Sequence, residues 1–221
     1  DEAADRSDST PQKGVTGMEA LRLVARVMVQ PVETYNELKL RRYRNWAFVW
    51  IMMAAFFLSA VVMRQFYGFR FNYNDIGKLN VFVQLCMTVI PFWLFCIANW
   101  AVCTIGNGEG KINEICTFAA LALTPYILCS LTATALSNIL VLEEESFLQV
   151  LLVIGGLWSG MLLFQAIRIV HNYSGLMTMG IILLTVLGIA IILFILLLLY
   201  ALFQQMYSFV STIYSELMYR K

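Results

Sequence analysis

From residue 46 onward the chain is a succession of long apolar runs separated by short polar connectors. The runs cover 46–63, 81–105, 115–142, 147–170 and 176–203. Each is long enough, as a helix, to cross a hydrocarbon core of about 30 Å. The connectors, 64–80, 106–114, 143–146 and 171–175, leave no room for a soluble domain. The pattern predicts an all-α integral membrane protein, a compact bundle of five transmembrane helices over 46–203.

Ahead of the bundle the period changes. Residues 1–15 are polar and aperiodic, the signature of a disordered tail. Over 16–45 the pattern predicts two amphipathic helices on the cytosolic side. Thr16 and Glu19 have the spacing of a capping box, and Met18, Leu21, Ala25 and Met28 recur at helical intervals. Pro31 breaks the repeat, after which Val32, Tyr35 and Leu38 share a face. The second helix runs into Lys39, Arg41, Arg42 and Arg44, a basic flank that reads as a topology signal or as a surface for anionic lipid or a partner. At the other end, Met206, Phe209, Ile213 and Leu217 extend an amphipathic stripe through 204–221.

Composition agrees with this pattern. The chain is 60% hydrophobic and 13% charged with a mean hydropathy of +0.74, whereas soluble domains are about half apolar and a quarter charged. A net charge of +1 argues against a nucleic-acid partner. The five cysteines fall within apolar runs and form no disulfide or zinc spacing. Alternating spans place Arg26, Lys39, Arg41, Arg42, Arg44, Lys111 and Arg168 on one side, against Arg64, Arg70, Lys78, Arg220 and Lys221 on the other. The positive-inside rule then puts the N-terminus in the cytosol and the C-terminus outside.

Candidate chemistry is sparse. The stretch "GNGEGK", with Gly106, Gly108, Gly110 and Lys111, suggests a phosphate cradle, but it follows a membrane helix and matches no nucleotide-binding spacing. It reads as a hairpin turn in which glycines accept φ > 0 at little cost. His171 is the one histidine, and no Asp or Glu lies within a span, so no metal, cofactor or catalytic constellation is expected. Ser159 stands twelve positions from His171, roughly 18 Å along a helix, too far for a serine–base pair. Asn99, Gln84, Gln165 and Asn138 read as interhelical hydrogen-bond partners. Pro91 and Pro125 predict kinks. In "GGLWSG", Gly156 and Gly160 form a GxxxG spacing, with Gly155 and Ser159 beside them, for close helix packing within the bundle or between subunits. The fifth run, in its stretch "GIAIILFILLLLYALF", reads as apolar all round. The connector aromatics Phe66, Tyr67, Phe69, Phe71 and Tyr73 form an interfacial belt or a partner-contact loop on the outer face.

The order of Trp100, the small-residue turn with Gly108 and Gly110, an Ala-rich helix start and Pro125 resembles the Yip-domain family, polytopic membrane proteins named for interaction with Ypt/Rab GTPases. The Pro-led segment "QPVETYNELKLRRYRNW" adds to the likeness, which covers most of 24–203. The wording "NGEGKINE" and "ILVLEEESF" resembles bacterial members more than the trafficking proteins of eukaryotes. The resemblance implies a non-enzymatic adaptor or accessory subunit, with the bilayer and other membrane subunits as partners. In a bacterium it points to the cytoplasmic membrane and to permeases of ABC-type sugar importers. In a eukaryote it points to ER or Golgi membranes and a small GTPase. The alternative from the residues is a transporter or channel lined near Asn99 by the two kinked spans.

Overall fold

The computed structural model describes residues 17–41, 43, 45–71, 79–106, 108 and 110–219. The tail 1–15, Thr16, Arg42, Arg44, Tyr73, Lys78, Arg220 and Lys221 lie outside the described residues. Eight α-helices follow one another: α1 Gly17–Val29, α2 Pro31–Leu40, α3 Trp46–Phe66, α4 Val81–Ile105, α5 Ile112–Ala122, α6 Thr124–Ser137, α7 Glu145–His171 and α8 Gly175–Tyr219. A 3₁₀ turn, Leu142–Glu144, precedes α7. Five helical stretches are long and apolar enough to cross a membrane, with α5 and α6 together forming the third. The chain is an all-α, multi-pass membrane protein.

Asparagine side chains start two spans. Asn45 accepts the amide of Phe48, and Asn80 accepts those of Phe82 and Val83, so early helical N–H groups with no carbonyl partner are satisfied. α5 starts with Glu114 reaching back to the Lys111 amide at 3.5 Å. The α5 helix is the axis of the bundle. Every residue from 115 to 122 is buried, packed among α3, α4, α7 and α1.

The third span differs from the expected 115–142 in two ways. It is broken at Leu123, because Pro125 lacks an N–H for the Leu121 carbonyl; Thr124 Oγ1 takes that carbonyl instead, at 2.7 Å. It also ends at Ser137, where the chain leaving α3 docks. The Ser137 hydroxyl accepts the Gly68 amide at 2.8 Å, and Asn138 Nδ2 donates to the Phe66 carbonyl at 3.0 Å. A Cβ on Gly68 would collide with the Ser137 carbonyl, so glycine is required for this backbone approach.

Of the stripe expected on the first helix, the side chains of Met18 and Leu21 lie outside the described residues and Met28 is half-buried. Val27 is fully buried with Leu23 and Val24 half-buried beside it, while Ala25 is exposed. On α2 the inward face is Thr34, Tyr35 and Leu38, and Val32 points outward. This face lies on α7 and α5, not on lipid: the Tyr35 ring stacks on Phe118 at 5.2 Å. The two helices are also joined by Arg26–Glu37 at 3.0 Å, and Glu37 pairs with Arg41 at 2.6 Å.

The aromatic connector is divided. Phe66 and Phe69 are exposed, but Phe71 is buried against Ala133 and Leu148, so it is a core residue and not part of a surface belt. Tyr67 meets Phe71 edge to face. The fifth span is one uninterrupted 45-residue helix to Tyr219, about 67 Å at 1.5 Å per residue. Its first half packs on α4. Beyond Ile192 every described residue is exposed apart from Ser215, which is half-buried.

Candidate functional site

One group of buried polar residues gathers at the end of the bundle covered by α1 and α2. Asn99 and Cys103 are one turn apart on α4, and both are buried. Thr178, Ile181 and Thr185 form the buried face of α8, and Gly188 carries that face past Ala98 and Val102 of α4. The fifth span is therefore polar on one face ahead of the stretch 188–203 that reads as apolar all round. Its two threonines, seven positions apart, mark the face turned to the protein.

His171 closes this cluster from α7. It is 2% exposed and stacks on Tyr173 with ring centroids 5.4 Å apart. The Gly110 amide donates to His171 Nδ1 at 3.4 Å, which leaves the proton on Nε2, 3.4 Å from Asn99 Oδ1. Asn99 Nδ2 donates to Thr185 Oγ1 at 3.2 Å, and that hydroxyl donates to the Ile181 carbonyl at 2.8 Å. The donors thus run in one direction, from the glycine turn through α7 and α4 to α8.

The turn fits against this histidine so closely that side chains are excluded. A Cβ on Gly108 would stand 2.6 Å from His171 Nδ1 and from the Tyr173 hydroxyl; one on Gly110 would stand 2.7 Å from His171 Cε1. Gly106 meets nothing closer than 3.6 Å. Among the described residues no glycine has a positive φ. The expected reason for the glycines is therefore corrected: they serve contact, not an unusual backbone angle. Tyr173 donates to the Gly106 carbonyl at 3.3 Å, and burial with Cys103 nearby holds its phenol above the usual range, in the donor form.

The end of α7 is capped twice. Asn172 adopts the left-handed conformation, φ 60° and ψ 35°, and the Tyr173 amide returns to the Arg168 carbonyl at 3.0 Å. Lys39 reaches over from α2 to the Ile169 carbonyl at 2.8 Å, placing a cation at the negative end of the helix. Of the basic flank, then, Lys39 holds α7 and Arg41 holds Glu37.

Cysteine, histidine and asparagine are the residue types of a thiol hydrolase, but their connections here differ from one. Both His171 nitrogens are occupied, and Cys103 Sγ faces Asn99 Oδ1 at 3.9 Å. A nucleophile needs its base within hydrogen-bond reach. The cavity beside Asn99 and His171 is about 10 Å³, room for one water at most. Among the described residues no three His, Cys, Asp or Glu side chains are placed to share a metal. The arrangement is a buried tie between four segments.

The remaining sequence candidates lie elsewhere. Trp100 is 42% exposed on the outer side of α4, away from Asn99. Pro91 is exposed within a continuous α4, whereas Pro125 is buried at the α5–α6 break. On α7 the surface packed against α6 includes Gly155 and Ser159. A Cβ on Gly155 would stand 2.6 Å from Cys129 Cβ, and Ser159 Oγ accepts the Tyr126 amide at 3.1 Å. Gly156 and Gly160 have nothing within 4 Å, so the GxxxG pair takes no part in packing inside the chain. Sequence reasoning weighed His171 only as a metal ligand or base and Cys103 only among the cysteines of the apolar runs, and passed over Tyr173 and Thr185; the paired threonines in an otherwise aliphatic run were the available signal.

A family model described as the Yip1 domain matches residues 25–199, a stretch that holds the end of α1, α2 to α7 and the packed half of α8. Comparison with the curated proteins and with the solved structures finds no match.

Proposed function

Since the chain belongs to the Yip1 domain family, we propose that it acts as a non-enzymatic membrane adaptor or accessory subunit, holding partner proteins at the bilayer surface. The observation that supports this reading is the α1–α2 layer. One face is folded onto α7 and α5, and the other displays Val29, Val32 and Leu40, which are 80%, 43% and 85% exposed, around the Arg26–Glu37–Arg41 row. Apolar side chains set among fixed charges are the composition of a docking patch. In this reading the layer faces the cytosol. In a bacterium the membrane is the cytoplasmic one, and the first partner to test is the permease of an ABC-type importer. In a eukaryote it is an ER or Golgi membrane and a small GTPase.

The transporter alternative draws less support. Its conduit residue, Asn99, is engaged on both sides by His171 and Thr185, beside a cavity of about 10 Å³. A photo-crosslinking amino acid at Val29 or Leu40 should capture one discrete protein in cells, whereas the same group at Leu193 should capture lipid alone. Lipid adducts from all three positions, or solute flux in proteoliposomes that Asn99→Leu abolishes, would overturn the adaptor reading.

A further inference from the structure

At the end of the bundle away from α1 and α2, three spans part. α4 buries Phe92, Cys96, Ala98, Asn99 and Cys103 after Pro91, but from 81 to 90 it fully buries Thr88 alone. α3 packs on both α4 and α6, while α4 and α6 barely touch. The space left between them is a cavity of about 470 Å³. That volume falls within the range of about 300–1,000 Å³ typical of small-molecule sites.

The cavity has a polar end and an apolar shaft. Its floor is Phe56 and Tyr126, whose rings meet edge to face at 6.0 Å. Its mouth holds Arg64, Gln84 and Tyr67, with Arg64 Nη1 donating to Gln84 Oε1 at 3.4 Å. Eight positions of α3 separate Phe56 from Arg64, roughly 12 Å of helix. Ala60, Met63 and Met87 wall the interval, and thioethers adapt to flexible chains. The serine and threonine hydroxyls in the wall are already used: Ser59 donates to the Phe56 carbonyl, Ser130 to Ile127 and Thr88 to Gln84, all within 2.9 Å. Such back-bonded hydroxyls leave a lining that receives hydrocarbon well.

We propose that this cavity binds one acyl chain whose acidic head group, a carboxylate or a phosphate, sits against the Arg64 guanidinium and the Gln84 amide. A planar guanidinium matches both anions geometrically, and charge-assisted bonds of this kind are the strong ones. The shaft accepts the chain by the same apolar transfer that buries any hydrocarbon. The inference does not depend on the adaptor reading; the two concern opposite ends of the molecule.

The test uses the full chain in phosphatidylcholine nanodiscs with three diazirine probes of equal chain length: oleate, oleoyl lysophosphatidic acid and oleyl alcohol. Adducts of the acidic probes should map to Met63, Met87 and their neighbours, and unlabelled acidic amphiphile should compete them away. Arg64→Gln should reduce labelling by the acidic probes roughly tenfold while leaving the alcohol unchanged. Ala60→Trp, which fills the shaft, should remove labelling by all three; if that variant does not incorporate, Met87→Trp narrows the opposite wall. Labelling by oleate alone identifies a free fatty acid, labelling by lysophosphatidic acid alone a lipid head group, and either supports the site. Adducts spread evenly over the lipid-facing part of α8, or equal loss of acid and alcohol in Arg64→Gln, would overturn it.

Discussion

His171 shows how much a single side chain is worth here. Replacing it with Leu leaves the half-buried Gly110 amide without its acceptor and the Asn99 carbonyl with only the weak Cys103 thiol, and should cost about 2–3 kcal/mol of stability. Thermal unfolding in nanodiscs reads this directly. The glycines provide a sharper contrast. Gly106→Ala should change stability by less than about 0.5 kcal/mol, while Gly108→Ala and Gly110→Ala should each cost about 1–3 kcal/mol by overpacking against His171 and Tyr173. Equal behaviour of the three variants would contradict the close approach. In the sequence each residue of this cluster is visible, but their meeting is not. His171 lies 61 positions from Gly110 and 72 from Asn99, and Asn99 lies 86 from Thr185. No local period connects such positions.

Between elements, the α6–α7 contact carries the clearest expectation. Gly155→Leu must displace α6, because even a Cβ would stand 2.6 Å from Cys129, and the variant should be destabilised by at least about 2 kcal/mol. Gly156→Leu points into open space and should leave the unfolding midpoint within a few degrees. Ser159→Ala should cost about 1–2 kcal/mol, since the Tyr126 amide at the start of α6 loses its acceptor. The motif GGLWSG announces a close contact without saying which pair makes it. Both pairs have the same spacing, and neighbouring residues on a helix point 100° apart. The inward face of α1 is left open by the sequence for a related reason. Apolar residues are abundant around that helix, so the inward face is chosen by Val27 reaching the bundle and not by periodicity alone.

At the scale of the whole molecule, α8 separates into a packed half and a projecting half. Ending the chain after Phe203 removes residues whose described part is almost entirely exposed, so the unfolding midpoint in nanodiscs should stay within a few degrees of the full chain. A fall of more than about 10 °C would mean that the projecting half supports the bundle. The five apolar stretches and the all-helical class were legible from residue order alone. Hydropathy belongs to each segment separately, and inside a bilayer a backbone must satisfy its own hydrogen bonds, which commits each segment to helix. The packing was another matter. Lipid is as apolar as a protein interior, so burial against a neighbouring helix leaves little compositional mark on a span. Only the assembled bundle decided that α5 is its axis, that Lys39 caps α7 and Phe71 turns inward, and that a glycine turn resembling a nucleotide loop lies flat against a buried histidine.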